Sequence, residues 1–463
     1  MKRMNKKFTI FSLIISLALT LFAYSVPAQS KKDLKKSKQL VDQGNKLFKK
    51  KDYRNAIGKY SEALTVVPTN ADALYWRGYS HYNLQENDAA FVDLSNALAR
   101  GYKPADIYKL RWFLNYERKD LPAALADARM ALQAEPTDLA ILQAAGGISF
   151  ELNNYADALE FFSRAAKKDS NNGDFHYSVA RAHYALGNTQ GEESAAEEAL
   201  KKRTRFVGES YFLLGDALHK QGKSDQAVEA YRKAIGAKPD IYEIYPSLAD
   251  VYRSQNRFED AINVLREGLR VFPNDGNFYT DLSWYYSLSN RNDDAIQAAQ
   301  AGIKFLPNQY MAYTNLCRAY NDVGKPEMAI AACNNALRLK PDDGETYFYL
   351  GRANSLLKRS SEASRHYKRA VAGLLDFTNS NPNSSDGFYL LGNAFFADDQ
   401  RDRAIEAYSR CLQLNPGFVK AMFNLGVIQA LQNNKPAAME QYNALLRLDA
   451  DLAEKLRAAI DQQ

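Results

Sequence analysis

Gly222-Lys223-Ser224 has the residue types of a phosphate-binding loop, in which glycine lets backbone amides approach a phosphate and lysine neutralises it. That chemistry needs a second glycine five residues earlier, and Ala217 stands there. The histidines, His81, His176, His183, His219 and His366, are the next candidates. Only His176 and His183 share a helical face, and neither has an acidic or cysteine partner at the spacing a metal needs. No His-Glu-x-x-His, Gly-x-Ser-x-Gly or Gly-x-Gly-x-x-Gly motif occurs. The residue pattern therefore points to no enzyme, no metal and no cofactor.

The elements that carry these residues repeat. One alanine returns every 34 residues at Ala56, Ala90, Ala124 and Ala158, again from Ala227 through Ala261, Ala295, Ala329 and Ala363, and again at Ala404 and Ala438. Pro239, Pro273, Pro307 and Pro341 keep the same interval, and Pro68, Pro136 and Pro416 fall at the equivalent place. A composition of 46% hydrophobic and 25% charged residues, with 24 glycines, 14 prolines and three cysteines in 463 residues, excludes collagenous, low-complexity and disulfide-scaffold classes. A repeat array remains.

One unit shows why these types recur. Tyr211, Leu214, Gly215 and Leu218 make the apolar stripe of one helix, Gly222-Lys223-Ser224 breaks it, and Ala227, Tyr231 and Ala234 make the stripe of a second. Gly215 and Ala227 are small so that two antiparallel helices approach closely, while Tyr211 and Tyr231 fill the space where they diverge. Pro239 stops the second helix because it donates no N–H and disfavours helical geometry before it.

This pattern resembles the tetratricopeptide repeat family, whose 34-residue signature is Trp/Tyr, Leu, Gly, Tyr, Ala, Phe/Tyr, Ala, Pro. Twelve units begin at Ser37, Ala71, Ala105, Leu139, Gly173, Gly208, Tyr242, Gly276, Tyr310, Gly344, Ser385 and Val419. The fifth departs most, with Glu192 where the others carry alanine and Ala180 where many carry glycine. The resemblance implies an all-α fold, a right-handed α-solenoid of stacked helix-turn-helix hairpins. Repeats one to ten span 37–375, a polar insertion or hinge 376–384, repeats eleven and twelve 385–450, and a capping helix 451–463 with Leu452, Leu456 and Ile460 on one face.

The same resemblance implies a concave groove lined by first helices that takes a protein or peptide. Positions flanking each buried stripe are its candidate residues: Trp76, Tyr177, Arg181, Trp284, Asn315, Arg318, Tyr349, Arg352, Tyr389, Asn393 and Asn424. Arginine, tyrosine and tryptophan carry interface energy, and asparagine pairs with peptide backbone. Some members clamp a chaperone's C-terminal carboxylate with basic and asparagine residues on three first helices. Asn45 matches one of these, but Val41, Trp76, Asp106 and Leu110 replace the rest, so that clamp is not assembled. Cys317 and Cys333 occupy the glycine and aromatic positions of one hairpin interior, where they form either a disulfide, if the protein is exported, or two small core residues.

At the N-terminus, Lys2, Arg3, Lys6 and Lys7 precede the mainly apolar run Phe8 to Tyr24 and the small-residue site Val26-Pro27-Ala28. This reads as a signal peptide, residues 1–28, cleaved after Ala28; a single-span anchor is the alternative. Cleavage leaves a basic segment at 29–36 and a formal charge of +2, which gives no case for nucleic acid. Nine lysines between Lys31 and Lys51 could meet an anionic membrane surface. The expectation is a non-catalytic scaffold in the periplasm or outside the cell. A membrane-anchored adaptor, or an accessory subunit of a glycan- or peptidoglycan-modifying enzyme, is the alternative.

Overall fold

A computed structural model describes residues 29–462, so the signal-peptide reading of 1–28 lies outside the described residues. Among the described residues there are twenty-five helices and no strand. They pair in chain order as antiparallel hairpins, of which Lys31–Lys49 with Tyr53–Val66 is the first and Val419–Leu431 with Lys435–Leu445 the last, followed by Ala450–Asp461. No described helix is long and apolar enough to cross a membrane.

Local chemistry sets each hairpin's limits. After several second helices the chain runs Pro-x-Asx, and the Asx side chain caps the next first helix: Asn70 accepts from the Ala73 N–H, Asp138 from Ile141, Asp275 from Phe278 and Asp343 from Thr346. Inside every hairpin the turn contains one residue in the left-handed region. These fall at Lys51, Gln85, Lys119, Asn153 and Gly187, then Gly222, Asn256, Asn290, Gly324 and Lys358, then Asp399 and Asn433, on the same 34-residue interval as the alanines. Gly222 thus closes a turn, and Lys223 Nζ pairs with Glu193 Oε1 at 2.7 Å.

The close approach inferred for Gly215 is present: a Cβ there would lie 2.7 Å from Tyr231 Cδ1, and at Gly392 one would lie 2.6 Å from Tyr408 Cε1. In the ninth hairpin the same two positions hold Cys317 and Cys333, both fully buried and joined as a disulfide with Cα atoms 5.3 Å apart. A covalent bond here takes the place of the glycine–tyrosine contact.

The chain divides into two compact units, 1–187 and 188–463. The division falls within the run 37–375 read as one array, inside the fifth repeat, where Glu192 replaces the signature alanine. In the first unit, buried clusters form around Tyr60, Leu94 and Leu114 and around Leu142, Ile148 and Phe161. Two bidentate ion pairs, Arg77–Asp93 and Arg111–Asp127, each with both bonds at 2.7 Å, recur 34 residues apart beneath its first helices. All nine lysines from Lys31 to Lys51 are exposed.

In the second unit, two clusters carry most of the hairpins, one around Tyr231, Tyr245 and Phe278, the other from Ala299 to Ile428. The segment 376–384, read as a polar insertion or hinge, divides differently: the helix Ser360–Ser380 runs through most of it, leaving a short turn before Ser385. Seven extra residues are close to two helical turns, so the helix lengthens without rotating its buried face, and Thr378 is still only 3% exposed. The last helix lays Ala453, Leu456 and Ile460 over Met422, Ala438 and Leu445, with Leu452 half-buried beside them.

Candidate functional site

The eleven candidate groove residues fall into two sets. Trp76, Tyr177 and Arg181 belong to the first unit. Trp76 sits in an aromatic series with Phe48 and Tyr79, and the Arg181 guanidinium lies 4.4 Å from the centre of the Phe150 ring. The other eight come together in the second unit around two cavities of about 600 and 610 Å³. Both cavities are bordered by Leu288, Arg318, Tyr349, Tyr389 and Lys420, so they are neighbouring parts of one groove.

First helices build this groove. Trp284 comes from Gly276–Leu288, Asn315 and Arg318 from Tyr310–Asp322, and Tyr349 and Arg352 from Gly344–Leu356. Tyr389 and Asn393 come from Ser385–Ala397, and Asn424 from Val419–Leu431. The lengthened helix Ser360–Ser380 adds Gly373, Leu374 and Phe377 as a further wall. Gly373 packs against the start of the preceding first helix so closely that a Cβ would lie 2.6 Å from the Asp342 carbonyl oxygen.

Several candidates are already engaged. Arg318 is 9% exposed, donating from Nη1 to Tyr349 Oη at 3.2 Å and from Nη2 to the Trp284 carbonyl at 3.3 Å. Asn315 Nδ2 donates to the Thr280 carbonyl, Asn424 Nδ2 to Asn393 Oδ1, and Tyr408 Oη to the same Asn393 oxygen. Those asparagines hold adjacent first helices in register, and Asn424 Nδ2 also donates to Tyr408 Oη at 3.3 Å. Arg352 reaches Asp322 at 2.7 Å.

Sequence reasoning missed the charges that cross the groove. Arg253 Nη1 donates to Asp386 Oδ2 at 2.7 Å over a separation of 133 residues, while its Nε holds Asp250 at 2.8 Å. Asn256 Nδ2 donates to the Gly417 carbonyl, 161 residues on. Asp281 and Glu345 also border the cavity. Burial pushes both carboxyls up to about 7, aided at Asp281 by Asp275 and opposed at Glu345 by Arg318. Lys420, half-buried, has its ammonium pKa lowered by burial and then by the Arg318 charge. Nothing in the 34-residue pattern marks these residues, because it reports hairpin packing rather than what meets across a curved surface.

Sequence profiles described as "TPR repeat" match residues 44–85, and profiles described as "Tetratricopeptide repeat" match 149–204, 208–241, 247–310, 312–343 and 389–453. The chain belongs to the tetratricopeptide repeat family. It is 38% identical over 84 residues to the small glutamine-rich tetratricopeptide repeat-containing protein 2 of Saccharomyces cerevisiae, covering 17% of this chain and 24% of that one. It is 28% identical over 211 residues to the RNA polymerase II-associated protein 3 of Rattus norvegicus, covering 44% and 28%. The tetratricopeptide repeat chain thus spans about a quarter of the length of these relatives. Among solved structures, yeast Tom70 aligns over 93% of this chain and 96% of its own at 16% identity, with a TM-score of 0.41.

Proposed function

We propose that this tetratricopeptide repeat protein is a non-catalytic scaffold, exported from the cytoplasm, that holds an extended polypeptide in the groove of its second unit. One observation carries the reading: eight residues that flank the buried stripes of five first helices converge on two adjoining cavities, where aromatic rings stand beside asparagine amides and charged groups. A peptide backbone finds donors and acceptors there, and its side chains find Trp284, Tyr349 and Tyr389. Export is supported by the basic and apolar pattern of 1–28 and by the buried Cys317–Cys333 bridge, a feature of oxidising compartments.

Two measurements test this reading. The mass of the protein purified from its native cell is expected to place the N-terminus at Gln29; an intact Met1 contradicts export. Affinity capture is expected to return a stoichiometric polypeptide partner that is lost from Ala397→Trp, which fills the groove from a half-buried position. Retention of the partner by that variant, folded as judged by its helical signal, contradicts the groove.

A further inference from the structure

The helix Lys31–Lys49 of the first unit has 19 residues, against 13 in the next first helix, Ala71–Asn83. Its packing begins only at Ser37, whose Oγ donates to the Ala63 carbonyl at 3.0 Å and which forms the buried face with Val41 and Gly44. Residues 31–36 carry the helix about 9 Å beyond that contact. All of them are exposed except Asp33, which is half-buried.

At about 3.6 residues per turn, Lys31, Lys35, Lys38, Lys46 and Lys49 fall on one exposed stripe about 27 Å long, with Asp42 the single acid among them. Leu34 borders the stripe and is 50% exposed. Among the described residues, no ammonium group from Lys31 to Lys51 makes a hydrogen bond or an ion pair, whereas Lys59, Lys109 and Lys223 each hold a glutamate. From Gln29 onward, the chain outside this segment carries 47 basic and 52 acidic residues. The excess of positive charge therefore belongs to this helix and the turn that follows it.

We propose that the lysine stripe of this first helix docks the protein on an anionic phospholipid bilayer, with Leu34 entering the headgroup layer. A straight row of unpaired ammonium groups matches a flat anionic surface, which all five reach at once, better than it matches a compact ligand. Each lysine brought to such a surface strengthens binding about fivefold, and Asp42 offsets part of that gain. Nucleic acid fits the stripe less well. The row holds no arginine, and the one aromatic residue of the helix, Phe48, is packed against Trp76 and Tyr79 at 5.1 Å each instead of standing free to stack on a base. The docking does not depend on the groove of the second unit.

The test is co-sedimentation of the chain from Gln29 onward with vesicles of phosphatidylcholine, alone or with about 30% phosphatidylglycerol. Binding to the anionic vesicles is expected to exceed binding to the neutral ones about tenfold or more at low salt, and to be lost at about 0.5 M sodium chloride. Changing Lys31, Lys35, Lys46 and Lys49 together to glutamine breaks no bond in the folded chain and is expected to weaken anionic binding about thirtyfold or more. The same four-charge loss at Lys167, Lys168, Lys325 and Lys435, all exposed elsewhere, is expected to leave most of it. Equal binding to both vesicles overturns the proposal, as does anionic binding that survives the stripe variant or falls equally in the control variant. Stripe-dependent binding of a fluorescein-labelled 20-nucleotide strand, tighter than that of the vesicles, would overturn it in favour of nucleic acid. Stripe-dependent capture of a polypeptide by a chain that ignores both vesicles would overturn it in favour of a protein.

Discussion

Arg253 Nη1 and Asp386 Oδ2 lie 2.7 Å apart, joining first helices that belong to hairpins four repeats distant. In a stacked array most contacts are with neighbours. A bond of this span closes the groove of the second unit from one side, with Asn256 and the Gly417 carbonyl reinforcing it. Asp386→Asn weakens that clasp and leaves Arg253 on Asp250. We expect a loss of about 1 kcal/mol and faster amide exchange in Ile244–Ser254 and Ser385–Ala397. Unchanged exchange in both helices would show that the clasp does not hold the groove.

The ninth hairpin is stapled where its neighbours are packed. Reduction opens a loop of 16 residues and is expected to cost about 3 kcal/mol, seen as a lower melting temperature in dithiothreitol. The double change Cys317→Gly with Cys333→Tyr restores the contact seen at Gly215–Tyr231 and is expected to recover most of the loss without any reductant sensitivity. A melt indifferent to reductant in the native protein would contradict the bridge.

Lysine at a left-handed turn position is strained by its Cβ. At Lys119, with φ of 63°, replacement by glycine relieves that strain, and we expect a gain of about 0.5–1 kcal/mol by chemical denaturation. A loss of stability would mean the lysine side chain contributes more than its backbone costs.

Glu192 is fully buried where other repeats carry alanine, and burial, aided by nearby Asp216, pushes its carboxyl up to about 8 from an ordinary 4.5. Below pH 4.5 the folded and unfolded chains both keep the proton, so there is no penalty. Between 4.5 and 8 only the unfolded chain ionises, and stability falls by about 1.4 kcal/mol per pH unit until the folded carboxyl also ionises. Glu192→Ala is therefore expected to melt higher than the native chain at pH 8.5 and to lose that advantage at pH 4. An equal advantage at both values would point to packing instead of ionisation.

The sequence made the hairpin legible wherever packing demands one residue type. Gly215 with Tyr231, the signature alanines and the prolines after second helices all report a steric requirement that few side chains meet. The left-handed turn residue was equally periodic but hidden, because only Gly187, Gly222 and Gly324 show it by type while lysine, glutamine, asparagine and aspartate serve elsewhere. The Arg77–Asp93 and Arg111–Asp127 pairs carried a readable signal, one charge pair repeated at the 34-residue interval. Arg318 has the spacing of a groove-surface residue, yet it is buried and its guanidinium bonds to neighbouring repeats, a use of arginine that spacing does not reveal. The meeting of Arg253 with Asp386 depends on the summed rotation of several hairpins, which no single repeat encodes.

The most direct test of the groove as the binding surface is photo-crosslinking in the native cell. A photoreactive residue is placed in turn at Tyr389 and Asn393, on the groove, and at Glu406, exposed on the second helix Arg401–Leu414. We predict a crosslink to one polypeptide from Tyr389 and Asn393 and none from Glu406. Crosslinks from Glu406 alone would place the partner on the outer helices and contradict the account.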